Sequence, residues 1–284
     1  MKPVIQVQTQ SRAKREEPLC RVPVFRPVAI KLLSLLTKPE PDILEVADVL
    51  RSDPGFSAEI LAVANSAAFV HSNRVNTVHK AIMVLGTDRT RMLVTRSALQ
   101  GMVRGIEQDT TIHNCWIHSR AAAAVAVWLA PHYQIHPDRA YTAALIHDIG
   151  RLGLLSAHGS RYADLLERAS GTSETLMDAE QLLFSVNHCE AGEWLTRTWG
   201  LPREFQETAS RHHLPVEGAL RDVNDLVACS CSLAHALGFR AAPLVESDTL
   251  EALLEHVPAP PDVLTQFSAT DLTGLVCREL EIVA

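Results

Sequence analysis

The chain reads as all-α, on three observations. Where it is apolar, the apolar residues recur three and four positions apart, as one face of a helix requires, and not on alternate positions. Hydrophobic residues make up 47% of the 284 and aromatics only 5%, with Ala and Leu plentiful, a composition that favours helices over sheets. No run of alternating β-branched residues bounded by turn signals competes. This length is one large domain or two small ones, and either can bury a real core.

Residues 1–24, polar, proline-containing and mixed in charge, read as a mobile tail. In "PDILEVADVLRSDP", Ile43, Val46, Ala47 and Leu50 form one stripe at i, i+3, i+4, i+7, with Pro41 suited to the first turn. Asp53 then caps the next helix, and Pro54 takes its first position, where a missing N–H costs nothing. That helix, "PGFSAEILAVANSAAF", is Ala-rich and ends in the polar pair Asn65-Ser66. "TVHKAIMVLG" follows, with Thr77 as its cap and Gly86 as a left-handed stop. "TDRTRMLVTRSALQGMV" is another helix, and a long one spans "TIHNCWIHSRAAAAVAVWLAPH", halted at Pro131. Further helices are expected around 138–147, 161–169, 174–187, 190–199, 202–211 and 222–237, with Gly200 and Gly238 at two ends. "DTLEALLEHV" and "SATDLTGLVCREL" close the chain, separated by the rigid "PAPPD". No internal repeat or long linker interrupts the series.

Composition narrows the function classes. Lys plus Arg number 26 against 33 Asp plus Glu, a formal charge of -7, which argues against non-specific nucleic-acid binding, since that needs clustered positive charge. The start, "MKPVIQVQTQSRAKREEPLC", has no apolar stretch of signal-peptide length, and no segment reaches the roughly 18 uninterrupted apolar residues of a membrane helix. Cys20, Cys115, Cys189, Cys229, Cys231 and Cys277 show no CxxC pair and no regular framework. A cytoplasmic, reducing setting with free thiols is expected. There is no G-x-S-x-G and no phosphate-cradling glycine loop. His188-Cys189-Glu190 with Cys229 and Cys231 does not match a zinc deaminase, which needs P-C-x-x-C where this chain has C-S-C.

Thirteen histidines are many for this length, and six polar residues stand one per helix or helix end: His118, the adjacent pair His147-Asp148, His188, and His212-His213. A metal site needs neutral imidazoles and carboxylates from several elements, because only folding gathers such ligands. That spread suits a pocket between the helices of a bundle. Each also has a plain structural reading: His118 as a core histidine bonded to a carbonyl, "HHLP" as a polar helix end, and His147-Asp148 as the last residues of a helix, where histidine is welcome. Arg89, Arg91 and Arg96 cluster on one helix, where they are either a solvated face or a stripe for an anion or partner.

Taken together, the motifs carry a resemblance. "AALIHDIGRLGLL" is similar to the signature loop of the HD superfamily of metal-dependent phosphohydrolases. Three other segments are similar to its HDOD (HD-related output domain) branch. They are "VLRSDPGFSAEILAVANSAAF" with "VNTVHKAIMVLGTDRTRMLV", "WIHSRAAAAVAVWLA", and "HCEAGEWLTRTWGLPREFQETASRHH" followed by "DLVACSCSLAHALGF". The likeness covers roughly residues 25 to 240 in the right order. It implies an HD-like helical bundle over 25–240, with an N-terminal helical lobe (25–105) and an HD-like lobe (106–240), the helices of 241–284 packing on it. It also implies a first metal ligand at His118, the HD pair at His147 and Asp148, and further ligands at His188, His212 and His213.

The departures weigh against hydrolysis. Where HD enzymes place an aspartate ligand on the last helix, this chain has Ser230-Cys231; the lysine after H-D-I-G is Arg151; the acid after the His pair is Leu214. Losing an anionic ligand removes charge as well as geometry, and an arginine fork is not a point charge. Cys231 offers a thiolate, which favours zinc over iron or manganese. The expectation is a regulatory protein with no catalytic residue and no required cofactor. Its degenerate metal site is open to zinc, iron or manganese, and Arg151 and the Arg89, Arg91 and Arg96 stripe are available to a ligand or partner. With no receiver, cyclase or DNA-binding domain in this sequence, it is expected to stand alone and bind a signalling protein in trans, one connected with cyclic dinucleotides, or a nucleotide signal. The alternative is a metal-dependent phosphohydrolase or phosphodiesterase acting on a nucleotide such as a cyclic dinucleotide, motivated by the retained His and Asp residues.

Overall fold

The computed structural model describes residues 18–22, 26–66, 75–103, 110–214, 222–244, 249–255, 257 and 269–281. All regular structure among them is helical. The first five helices are α1 (Pro27–Leu36), α2 (Ile43–Arg51), α3 (Pro54–Ala64), α4 (Val78–Leu85) and α5 (Thr87–Val103). Then come α6 (Thr110–Leu129), α7 (Pro137–Ile146), α8 (Ile149–His158), α9 (Ser160–Arg168) and α10 (Ser173–Phe184). The last are α11 (His188–Thr198), α12 (Arg203–Arg211), α13 (Val223–Ala236), α14 (Leu250–Glu255) and α15 (Ala269–Glu281).

The expected start and stop signals act as read. The Asp53 side chain accepts from the Phe56 N–H with Pro54 in the first turn, and Thr77 accepts from Lys80. Gly86, Gly200 and Gly238 all take positive φ. Pro41 lies one residue outside its helix, because Asp42 takes the cap and accepts from the Leu44 and Glu45 N–H groups. Asn65 does more than end α3: its side chain bonds the Val75 backbone both ways, at 2.7 and 2.9 Å.

Three boundaries differ from the sequence reading. The segment read as a tail reaches too far, since Leu19 and Val22 are buried, while 1–17 lie outside the described residues. The helix expected to run to 187 ends at Phe184, where Ser185 turns left-handed (φ 62°), and a capping box of Asn187 with Glu190 opens α11. And α8, which no periodicity announced, begins directly after Asp148. "PAPPD" lies outside the described residues.

Helix α6 is the axis of the site-bearing half. Ala121, Ala122, Ala123, Val125 and Ala126 are fully buried, and these short side chains let α7, α13 and α15 pack on it from several sides. Helix α5 lies across α7 and also meets α1, which links the first five helices to this half. Buried Arg120 on α6 donates to the last carbonyls of α15, Glu279 at 2.5 Å and Leu280 at 3.0 Å, and Tyr141 bonds the Glu279 carboxylate at 2.8 Å. No described helix is long and apolar enough to cross a membrane.

Candidate metal centre

The junction of α7 and α8 places the His-Asp pair: His147 ends α7 and Asp148 is the residue before α8. What brings His188 to them is glycine. A Cβ on Gly150 would come within 1.8 Å of the His188 carbonyl oxygen, so α8 and α11 touch backbone to backbone only because that position has no side chain. Gly192, facing Ala209 and Gly150, does the same between α11, α12 and α8. His118 comes from the middle of α6, His212 and His213 from the end of α12, and Cys231 from the middle of α13.

Four histidines share one orientation. Each turns Nδ1 to an oxygen acceptor: His118 to Phe239 O at 2.8 Å, His147 to Ala144 O at 2.5 Å, His188 to a Glu180 carboxylate oxygen at 2.7 Å, His212 to Ala209 O at 3.0 Å. A carbonyl only accepts, so in His118, His147 and His212 the proton sits on Nδ1 and the Nε2 lone pair faces the cluster. Metal-ligating histidines are held in this way. Nε2 of His147 is buried with no hydrogen-bond partner, a costly state for a polar atom unless something fills the space before it.

The donors fall into overlapping groups whose ligand atoms all lie within 4.8 Å of one another: His118, His147 and Cys231; His147, Asp148 and His212; His188, Cys189 and His212. Cys231 Sγ is 3.5 Å from His118 Nε2. His213 belongs to none of these groups; half-buried, it packs its ring on His212 at 4.3 Å and edge-on to His188 at 5.0 Å.

Burial fixes the charge states. It pushes the pKa of His118 down to about 4, with neighbouring His147 adding to the effect, and it is also the largest influence lowering His147, His212 and His213. These rings are neutral at pH 7. Burial opposes ionisation of Asp148, but the charge of Arg151 wins and holds the carboxyl well below its usual range. Glu180 is likewise lowered against burial, by His188 and Arg151. Burial and Arg151 press His188 down, while Glu180 and Cys189 more than offset them and lift it to about 10, so this ring carries a second proton that a metal would have to displace.

Arg151 is the largest departure from expectation. Buried at 3% exposure, it is engaged within the chain: it donates through Nε to both Asp148 oxygens (2.9 and 2.7 Å), lies 3.5 Å from Glu180, and sets Nη2 3.2 Å from His188 Nε2. The arginines of α5 are also engaged within the chain, Arg89 with Asp138 (3.5 Å), Arg91 with Asp88 (2.6 Å) and Arg96 with Glu59 (3.2 Å), and Arg91 is buried. A ligand there would have to displace those pairs.

Two residues escaped the sequence reading. Glu180 is fully buried, accepting from Tyr162 OH (2.7 Å) and from the His188 backbone (2.8 Å) as well as its ring. Cys189, weighed in the sequence only within a zinc-deaminase pattern that does not match, lies beside His188 Nε2 at 3.6 Å.

A helical bundle that gathers an interhelical histidine, a His-Asp pair at a helix junction and later histidines around one buried point is built on the HD plan. The chain belongs to the HDOD domain family, whose model matches residues 22–215. An HDOD domain protein from Geobacter sulfurreducens is similar over 98% of this chain and 95% of its own, at 22% identity and a TM-score of 0.64. A protein provisionally assigned as a phosphohydrolase, from Shewanella amazonensis, is similar over 95% of this chain and 94% of its own (19% identity, TM-score 0.62). One provisionally assigned to signal transduction, from Marinobacter aquaeolei, shares 20% identity over 97% of this chain and 64% of its own, with a TM-score of 0.68. No curated protein matches the chain.

The donors fit a metal. Imidazole nitrogens with their other nitrogens anchored, one of them buried without a partner, and thiols at ligand distance make a set suited to a borderline-soft cation.

Proposed function

We propose that this protein is a bacterial regulatory protein that acts by binding a signalling partner, and that its HD centre holds the helices in place instead of hydrolysing a substrate. The carrying observation is the clamp on Asp148. A hydrolytic centre needs this carboxylate on its metal and an opening through which a phosphodiester reaches it. Here both oxygens are taken by Arg151, and His118, His147, Asp148, Arg151, His188 and His212 are each at most 4% exposed. A surface cavity of about 620 Å³ between α7, α12 and the start of α13 is lined by none of them. A divalent metal held by His118, His147 and Cys231 would supply Lewis acidity and a link between α6, α7 and α13. The residues themselves orient the imidazoles, exclude water and keep Asp148 ionised.

The second reading, a metal-dependent phosphodiesterase, is favoured by the donor group of His147, Asp148 and His212. One assay separates the two: metal-loaded protein incubated with linear and cyclic dinucleotides. No turnover above that of His147→Ala is expected. Turnover that disappears in His147→Ala would establish the hydrolase and overturn the regulatory reading.

A further inference from the structure

One buried cation lies outside the metal cluster and is answered by a single helix. Arg120, in the middle of α6, is 5% exposed. Its Nη2 donates to the Glu279 and Leu280 carbonyls in the last turn of α15, at 2.5 and 3.0 Å, while its Nε is buried with no hydrogen-bond partner among the described residues. Beside it Tyr141 of α7, also buried, donates to the Glu279 carboxylate at 2.8 Å. Arg96 of α5, paired with Glu59, adds positive charge to the same corner, where it acts on both Arg120 and Tyr141. Helix α15 meets these groups along one face: Leu272, Val276 and Glu279 stand at i, i+4 and i+7. Among its described side chains only Leu272 and Val276 are buried, while Asp271, Cys277 and Arg278 are exposed. It packs chiefly on α6.

We propose that this face of α6 and α7 is a docking groove for the amphipathic helix of a partner protein, and that α15 is the internal helix that fills it until the partner competes. The inference rests on the regulatory reading above and deepens it by giving the surface and the chemistry of the partner. Helix α15 is the template: two aliphatic side chains four apart, then a carboxylate three residues on in the last turn, the pattern of a helix laid in a groove. A helix C-terminus carries partial negative charge, which suits a buried guanidinium. The hold of α15 is incomplete, and that permits exchange. Nε and Nη2 form one edge of the guanidinium fork, the edge with which Arg139 grips both oxygens of Glu204 at 3.0 Å. On Arg120 the same edge receives only carbonyls, both on Nη2. A partner helix that brings a carboxylate there makes the bond that α15 leaves unmade. Two buried side chains are a small apolar anchor, and a segment anchored so lightly opens without unfolding the bundle beneath it. Attachment to the same chain gives α15 a high local concentration, so the groove stays filled until a partner binds better or is abundant.

The first test is hydrogen exchange on the wild-type protein. The amides of α15 are expected to exchange at least about 100-fold faster than those of Ala121–Ala126 in α6, through an opening that leaves the bundle folded. Exchange of α15 in step with α6 would overturn the proposal, whether the helix is then fixed to its own bundle or swapped into a second copy. The second test uses a fluorescent peptide of residues 269–281, followed by anisotropy. Full-length Val276→Asp protein, with its own α15 expelled, should bind the peptide at least about tenfold more tightly than wild type does. The same peptide carrying Glu279→Gln should bind that variant about tenfold more weakly. A folded Val276→Asp protein that binds the peptide no better than wild type, or that binds both peptides alike, would refute the groove as described. Should Val276→Asp fail to fold by circular dichroism, the exchange measurement decides alone. Neither test involves the metal centre: dinucleotide turnover would remove the regulatory reading without altering the exchange of α15, and exchange of α15 in step with α6 would remove the groove and leave that reading standing.

Discussion

Replacing Arg151 by Met tests the electrostatic core of the centre directly. The guanidinium is 3% exposed and neutralises two carboxylates, Asp148 (2% exposed) through paired bonds and Glu180 (fully buried) at 3.5 Å. Removing one partner of a buried ion pair costs about 3–5 kcal/mol, because the other charge stays behind without compensation. Asp148 is the anion left bare, since Glu180 keeps the doubly protonated His188 ring at 2.7 Å. For a chain of this size, each kcal/mol moves the melting temperature by about 2–4 °C, so the metal-free variant should melt roughly 6–20 °C lower than wild type. The assay is urea unfolding of chelator-treated protein, followed by circular dichroism. Adding Asp148→Asn to Arg151→Met should restore part of the loss, because the abandoned charge is then gone as well. A loss below about 1 kcal/mol in the single variant, or a double variant weaker than the single by the full cost of a second independent substitution, would refute the reasoning: Arg151 would then be filling space and not charge.

Two other predictions follow from the same geometry. Acidification should destabilise the metal-free protein steeply between pH 6.5 and 4: His118 is held neutral with a folded-state pKa of about 4, so the unfolded chain binds more protons across that window, and this residue alone accounts for about 3 kcal/mol. His147, His212 and His213 act in the same direction, while His188, raised to about 10, acts oppositely and only above pH 6.5; urea midpoints at pH 7, 5.5 and 4.5 that fail to fall would contradict the burial of the neutral rings. Gly150→Ala should cost more than 3 kcal/mol or abolish folding, since its Cβ would lie 1.8 Å from a backbone oxygen; Gly101→Ala, whose Cβ meets nothing within 4 Å, should be neutral or gain roughly 0.5–1 kcal/mol from helix propensity. Equal melting temperatures for the two variants would remove the close approach of α8 and α11 from the account.

Much of this centre was legible because its residues come as short adjacent patterns in a fixed order: His118, His147-Asp148, His188, His212-His213. Glu180 was not. It lies in "SETLMDAEQLLF", where an acid reads as part of a solvated helix face; its burial is decided by Tyr162 and His188, which arrive from other elements. Leu182, on the same helix, is 84% exposed, so periodicity along this segment misjudges both residues. Helix α8 was missed for a related reason. Gly150 and Gly153 have low helix propensity, but their lack of a Cβ is what lets α11 pack against them, and tertiary contact overrides that propensity. The fold class depended on none of these details, since helical spacing and the absence of strand patterns held along the chain.

With Cys231 among its donors, the cluster favours thiolate-binding cations. Arg151, tied to Asp148 and Glu180, puts a permanent positive charge where an additional exchangeable cation would otherwise be drawn. Each change alone would weaken a hydrolase. On the regulatory reading proposed above, a metal on His118, His147 and Cys231 would join α6, α7 and α13 in a buried interior. Metal binding in such a site stabilises the folded state by the free energy of ligation, and does so where the helices that present the outer surface converge. A protein that works by offering a surface gains from that rigidity. One that works by turnover would need the opening and the free coordination position that this arrangement gives up.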